Sequence, residues 1–399
     1  MDANNMPRLS LQRQSQPGDD YWHSVLISLL RGLAAVIVAA GHLRSEMYPG
    51  LRTVADPSLW FKGFAFATGF GHQAVMVFFV ISGWLVGGSL LNKFGQPGAV
   101  TNYAIDRVTR LWTVLIPTFA LTLLFGLGTG VLLPHWFDFS STNEFSALTL
   151  GGNLLGLQRV ALSNFGGNYA LWSLANETWY YVLFPLLILL FTAQHYTARI
   201  ASGAAIALLA TVLPIDILLY FSIWLLGVAF SRVRIDCGFG ARCAWLVLLI
   251  VATSYARLTG DNDAFDRTSL AMDLVYSLMF LVLLSSLQFK AKPASKLLRP
   301  MARTGKLFAD FSFSLYVLHV PLIVLLQNML FTHFGLRELS AKDPLHFAIY
   351  LGMLAALMLG SYLSYRLFES QTYRIRRLVK DLFALRGTQP AAAVAPAKR

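Results

Sequence analysis

The sequence predicts an all-α, polytopic membrane protein with about ten transmembrane helices and both termini in the cytoplasm. Of its 399 residues, 56% are hydrophobic and only 13% are charged, and the mean hydropathy is +0.57. A soluble protein of this length cannot bury that much apolar surface, so the lipid bilayer is its solvent. The formal net charge of +12 comes from basic residues in short segments between apolar runs. This distribution indicates membrane orientation and argues against binding of nucleic acid.

Ten apolar runs, found with a window of about 19 residues, predict the individual spans. Pro214 and Asp216 separate the fifth run from the sixth. Because the number of spans is even, both termini lie on one side, and most of the 32 Lys and Arg residues are assigned to that side. The runs lie near residues 24–43, 73–91, 111–133, 171–192, 200–214, 217–231, 243–256, 270–289, 308–331 and 345–368.

The transmembrane domain is predicted to extend over residues 21–386, with a polar segment on either side. Residues 1–20 are predicted to form a cytoplasmic N-terminal segment. The Ala/Pro-rich residues 387–399 are predicted to form a disordered cytoplasmic tail. Cys237 and Cys243 lie in a loop assigned to the reducing cytoplasm, so neither a disulfide nor a metal site is expected.

Two long segments on the outer side connect predicted spans. They cover about residues 43–72 and 134–170, and neither is long enough to form an independent domain. Both are long enough to fold over a site. The pairs Gly151–Gly152 and Gly166–Gly167 are predicted to be flexible points in the second segment.

Arg31 and His42 are ionisable residues within the first span. Eleven residues at 100° each return to within about 20° of the same helix face and rise about 16 Å. If Arg31 lies near the cytoplasmic surface, His42 lies above it near the middle of the bilayer. A guanidinium in that place suits a phosphate or another anion. The spacing alone is equally compatible with a structural role, in which Arg31 snorkels and His42 binds a backbone carbonyl.

Three further spans contain ionisable residues. Arg107 and Arg110 share a helix face at the cytoplasmic mouth of the third span, where they could clamp phosphates or simply anchor the helix. Glu177 lies about 9–10 Å below the outer surface, and His319 lies about 14 Å from the inner surface. With His42 they reach similar depths above a basic vestibule. This arrangement favours a phosphate-bearing donor, a histidine as general base or acyl relay, and a carboxylate that orients it.

Six segments form an ordered pattern along nearly the whole hydrophobic chain. Each is weakly specific by itself, but their order is highly specific. They are LLRGLAAVIVAAGHL with Arg31 and His42, VMVFFVISGWLVG with Ser82, the Arg-x-x-Arg of Arg107 and Arg110, WSLANETWYYVLFP with Glu177, FSFSLYVLHVPL with His319, and SYRLFES with Glu369. In this order the segments resemble the acyltransferase 3 family of bacterial membrane O-acyltransferases.

The resemblance implies a multi-pass protein of the bacterial inner membrane that uses cytoplasmic acyl-CoA, usually acetyl-CoA, as its donor. It implies no permanently bound cofactor and no metal. The acceptor would be a glycan or lipid-linked sugar at the periplasmic face, and polysaccharide assembly proteins would be partners. His42 would be the catalytic histidine, with Glu177 and His319 beside it. The donor would be bound by Arg31, Arg107 and Arg110, and supporting residues would be Ser82, Trp172, Tyr180, Tyr316 and Glu369.

The chain departs from the family pattern at two positions. Ser28 stands where the family often has an acidic residue, which puts in doubt how Arg31 is held. Asn176 precedes Glu177, where the family usually has a residue such as valine. No hydrolase-like SGNH domain follows the last span, so a stand-alone member is expected.

Two other functions are compatible with a polytopic membrane protein. A proton-coupled transporter or flippase of a polysaccharide export system would use Glu177 and the histidines as a proton relay. The sequence shows no internal repeat of the kind that marks many transporters. This function also gives the Arg-x-x-Arg pair no specific role. A non-catalytic subunit of a polysaccharide assembly would leave the cost of the buried polar groups unexplained.

Overall fold

The computed structural model describes residues 7–14, 21–259, 265, 267–290 and 298–387. Within these residues the chain forms fifteen α-helices and one two-stranded antiparallel sheet. The strands are β1 (Arg8–Leu11) and β2 (Val233–Asp236). The helices are α1 (Trp22–Met47), α2 (Leu59–Ala67), α3 (Gly71–Ser82), α4 (Gly88–Lys93), α5 (Ala99–Gly128), α6 (Leu132–His135), α7 (Ala147–Leu154), α8 (Leu171–Thr192), α9 (Tyr196–Val212), α10 (Ile215–Phe230), α11 (Phe239–Thr259), α12 (Arg267–Ser286), α13 (Leu298–Phe334), α14 (Pro344–Leu367) and α15 (Thr372–Gly387).

The prediction of an all-α polytopic membrane protein is confirmed. In the described part of the chain, eight helical stretches are long and apolar enough to cross a membrane, and α9 and α10 add two shorter apolar helices. The predicted break at Pro214 is also found, since α9 ends at Val212 and α10 begins at Ile215. The predicted disordered tail lies outside the described residues, apart from its first residue, Gly387, at the end of α15.

The structure corrects three local predictions. Helices α5 and α13 begin at Ala99 and Leu298, well before the predicted starts at 111 and 308, because a hydropathy window cannot detect a helix that continues through polar residues. Gly151–Gly152 lie inside α7 rather than in a flexible loop, since Ser146 caps that helix by accepting a hydrogen bond from the Thr149 amide. Strand β1 was not predicted, because four residues are too few to produce a recognisable pattern.

Helix α1, which carries Arg31 and His42, packs mainly against α13, which carries His319. The two helices approach closely at Gly32. A Cβ atom built there would lie 2.3 Å from the Cβ of Phe308. Small residues allow this kind of contact between membrane helices, so Gly32 sets the distance between the two histidine-bearing elements.

Replacing Gly32 with alanine is expected to destabilise the fold by about 1–3 kcal/mol, because the new methyl group overpacks the contact between α1 and α13. Thermal unfolding of the purified protein in detergent measures the effect. Gly352→Ala in α14 is the matched control, since its Cβ would meet nothing within 4 Å. Equal unfolding temperatures for the two variants would contradict the proposed role of Gly32.

The second outer segment folds back onto the helices just before α8. Gly166 and Gly167 adopt φ values of 62° and 66°, a left-handed conformation that favours glycine. The Gly166 amide donates to the carbonyl of Glu144 at 2.8 Å. The side chain of Asn168 donates to the carbonyl of Val317 in α13 at 2.9 Å. The first bond folds the segment back on itself, and the second connects it to α13, two residues from His319.

Candidate active site

A cavity of about 1000 Å³ opens at the end of the bundle predicted to face the cytoplasm. It is lined by residues of α1, α3, α5, α8 and α13 and by the turn after α14. The three arginines predicted to bind the donor all line it. Three further basic residues line it as well, so that the set is Arg31, Arg107, Arg110, Arg303, Lys306 and Arg376.

Glu369 holds one of these arginines in place. Its carboxylate, 3% exposed, lies 2.6 Å from Nη1 of Arg110 and accepts hydrogen bonds from the backbone amide and the hydroxyl of Ser314 at 3.1 and 2.6 Å. The guanidinium of Arg110 also lies over the ring of Phe313, 5.2 Å from its centroid. The short turn Glu369–Gln371 therefore connects α5 to α13 at the wall of the cavity.

Arg107 is positioned by aromatic rings. Its guanidinium carbon lies 5.9 Å from the ring centroid of Tyr103 and 5.6 Å from that of Tyr181, which is cation–π geometry. Arg31 is half-buried and lies within electrostatic range of Arg110, Glu369 and Glu177. The mouth of the cavity thus combines cations with a smaller number of carboxylates.

The side chain of Glu177 lines the cavity rather than contacting the histidine pair. One of its oxygens accepts hydrogen bonds from the hydroxyls of Ser82 and Tyr181, and the indole of Trp224 donates to Ser82 at 3.1 Å. No histidine is among the described hydrogen-bond partners of Glu177. The expectation that this carboxylate orients a histidine is therefore not met in this structure, because its face of α8 turns toward α3.

Two predicted supporting residues lie away from the cavity lining. Tyr180 is fully buried, with its ring 5.5 Å from that of Phe79 and stacked on Phe221. Trp172 lies under the guanidinium of Arg159 at 5.5 Å and against the ring of Phe265 at 4.1 Å. These rings support α8 through packing.

His42 and His319 are in direct contact. Nδ1 of His42 lies 2.8 Å from Nε2 of His319, and the rings stack with centroids 5.0 Å apart. Nδ1 of His319 lies 2.7 Å from the carbonyl oxygen of Tyr316 and 3.2 Å from that of Leu315. His319 is fully buried, whereas His42 is only half-buried.

These contacts define the tautomers of the pair. A carbonyl only accepts hydrogen bonds, so Nδ1 of His319 carries the proton and its Nε2 accepts. Nδ1 of His42 must then donate to that nitrogen, which leaves Nε2 of His42 unprotonated. No partner of this nitrogen is found among the described residues, so it is available as a base or a nucleophile.

Tyr316 lies between the histidine pair and the cavity. Its hydroxyl and that of Ser173 are 2.6 Å apart, and both residues line the cavity. The Tyr316 ring centroid lies 5.5 Å from that of Phe78 and 5.9 Å from that of His319. In the described part of the chain neither histidine lines the cavity, so a single aromatic layer separates the two halves of the site.

Several residues of the site were missed from the sequence. Arg303 and Lys306 lie between two predicted runs, and their i, i+3 spacing indicates a shared face only once α13 is known to begin at Leu298. Tyr181 lies at i+4 from Glu177, a spacing that places both on one face of α8. No local pattern distinguishes Tyr169, whose ring lies perpendicular to that of His42 with centroids 5.1 Å apart.

A second polar cluster, centred on Asp273, lies apart from the cavity. The buried carboxylate accepts hydrogen bonds from Nε2 of His72 at 2.9 Å, from the hydroxyl of Tyr220 at 2.6 Å and from the hydroxyl of Tyr276. The cluster joins α3, α10 and α12. A carboxylate in an apolar span is costly unless it is paired, and these three donors satisfy it. Among the described residues, no group of three His, Cys, Asp or Glu side chains could hold a metal ion.

The fold and the site define a class: a multi-pass membrane protein with a cation-lined cavity at one end and a hydrogen-bonded histidine pair in its interior. A family described as an acyltransferase domain matches residues 25–366, which is most of the chain. The protein therefore belongs to the acyltransferase 3 family and is a membrane acyltransferase. Comparison with curated proteins and with solved structures gave no match.

Proposed function

We propose that the protein moves an acyl group, most simply acetyl, from cytoplasmic acyl-CoA to a hydroxyl of a glycan or lipid-linked sugar on the opposite side of a bacterial inner membrane. The observation that supports this best is the position of the His42–His319 pair one aromatic layer beyond a cavity lined by six basic residues. The donor is a substrate, and no permanently bound cofactor is required.

The donor is bound in the basic cavity. Coenzyme A carries several phosphate charges, and planar guanidinium groups bind phosphate through paired hydrogen bonds. The volume of about 1000 Å³ is at the upper end of the range for small-molecule sites, which suits a ligand of this size. Because Arg110 is already paired with Glu369 and Arg376 with Asp106, the other four basic residues supply most of the phosphate contacts.

The transfer step uses the free nitrogen of His42. Nε2 takes the proton of the acceptor hydroxyl as its oxygen attacks the thioester carbon. The carbon–sulfur bond then breaks, and the thiolate takes up the proton to give an ester and free CoA thiol. As His42 gains charge, its bond to Nε2 of His319 strengthens and stabilises the imidazolium. An acyl-histidine route would use the same nitrogen as its nucleophile.

Three measurements test the proposal. Purified protein is expected to bind CoA, and membranes that contain it are expected to consume acetyl-CoA. Mass spectrometry of glycans from cells with and without the gene is expected to show acetyl esters only where the gene is present. Absence of CoA binding together with proton-coupled substrate flux would favour the transporter, and unchanged acetylation in the deletion strain would favour a non-catalytic subunit.

A further inference from the structure

Tyr169 packs against the ring of His42 and, unlike Tyr316, is not among the described residues that line the basic cavity. Its ring lies perpendicular to the imidazole with centroids 5.1 Å apart, and the segment that carries it is tied to α13 through Asn168. The phenol hydroxyl donates a hydrogen bond to Oε1 of Glu46 at 3.2 Å. Burial raises the pKa of Tyr169, and the nearby Glu46 raises it further, so the phenol keeps its proton and remains a donor.

Glu46 lies one helical turn beyond His42 on the same face of α1. Its side chain is exposed at the end of α1 predicted to face the periplasm. Gln327 of α13 donates to its backbone carbonyl at 3.4 Å, which places α13 beside it. A carboxyl group and a phenol hydroxyl thus lie next to the ring of the proposed catalytic residue.

His42 is not part of the lining of the basic cavity. His319 is fully buried and His42 half-buried, yet neither lines the basic cavity within the described residues. The exposed part of His42 therefore lies outside the donor cavity as the described residues define it. The groups around it there are those of Tyr169 and Glu46.

We infer that Glu46 and Tyr169 form the acceptor-binding side of the active site, where they bind the hydroxyl groups of a neutral sugar and present one of them to His42. This inference rests on the proposed acyl transfer. The exposed oxygens of Glu46 accept hydrogen bonds from sugar hydroxyls, and the phenol oxygen of Tyr169, whose proton is donated to Glu46, accepts a hydrogen bond from another. A carboxylate here also repels an acidic group on the acceptor, which makes a neutral sugar the preferred class.

The inference is tested with full-length protein purified in detergent, radiolabelled acetyl-CoA, and the envelope glycan fraction of a deletion strain as acceptor. Glu46→Gln and Tyr169→Phe are each expected to raise the glycan concentration needed for the half-maximal rate by roughly tenfold, the effect of losing a hydrogen bond that involves a charged group. The acetyl-CoA concentration for the half-maximal rate and the binding of CoA are expected to stay unchanged.

Glu338→Gln and Tyr255→Phe are the matched controls, since both residues are exposed and neither contacts His42 among the described contacts. A glycan dependence of the Glu46 and Tyr169 variants equal to that of the controls would overturn the inference. So would a parallel loss of CoA binding, because it would indicate a general structural role. If the wild-type protein neither bound CoA nor transferred acetate, the proposed function itself would fail, and the inference with it.

Discussion

Replacing His42 with alanine is expected to lower the rate of acyl transfer by about 10²–10⁴-fold, the usual contribution of a positioned general base. The reason is the hydrogen-bond order of the pair, in which the carbonyl of Tyr316 fixes His319 and His319 fixes His42. This order leaves one basic nitrogen, and alanine removes it. The rate is measured as radiolabelled acetate transferred from acetyl-CoA to glycan.

Two companion variants make the result specific to the proposed chemistry. His42→Gln retains an amide that can donate to Nε2 of His319 but has no basic nitrogen, so its loss of activity is expected to match that of His42→Ala. His333→Ala is the histidine control, because His333 is exposed and, among the described residues, its ring contacts the carbonyl of Met329 and the neighbouring ring of Phe334. If folded and inserted His42→Ala protein acetylated the acceptor normally, the mechanism would be wrong.

Depth along a helix could be predicted from the sequence, whereas rotation about the helix axis could not. The rise per residue placed His42 and His319 at similar depths, and the two rings are in contact in the structure. The same calculation placed Glu177 near that depth. Its side chain nevertheless turns to Ser82 and Tyr181, because the orientation of α8 depends on packing between segments that are far apart in sequence.

The remaining site residues required the tertiary structure. Tyr169 contacts His42 because a loop with two left-handed glycines is hydrogen-bonded to α13. The spacing of apolar residues along the sequence does not predict how such a loop folds back. Asp273 was hidden inside an apolar run, where its three donors come from α3, α10 and α12 itself. Helical sequence patterns therefore predict the elements and three of the six basic residues found in the cavity lining. They do not predict the contacts between elements.

The two halves of the site impose different requirements on the protein. Under the proposed function, the basic cavity admits a large, water-soluble donor from one surface, and the histidine pair meets an acceptor from the other. The Tyr316–Ser173 contact separates them in this structure. In the proposed reaction, the thioester of the donor therefore has to pass this layer to reach His42.

The ion pair between Arg110 and Glu369 is expected to contribute most to the stability of the cavity wall. Arg110→Met removes the only ion-pair partner of Glu369 in the described part of the chain and leaves its carboxylate, 3% exposed, with only the more distant charge of Arg31 nearby. Breaking a buried pair from one side costs about 3–5 kcal/mol, and about 3 kcal/mol is expected here because the Arg110 side chain is still 28% exposed. Denaturant titration in detergent measures the free energy of unfolding.

Arg107→Met is the matched control, since both arginines line the cavity but Arg107 lies over the rings of Tyr103 and Tyr181. Its loss is expected to cost about 0.5–1 kcal/mol. Adding Glu369→Gln to Arg110→Met is expected to recover most of the lost stability, because the neutral amide no longer needs a countercharge while it can still bind Ser314. Equal destabilisation by Arg110→Met and Arg107→Met, without recovery in the double variant, would mean that Glu369 does not depend on Arg110.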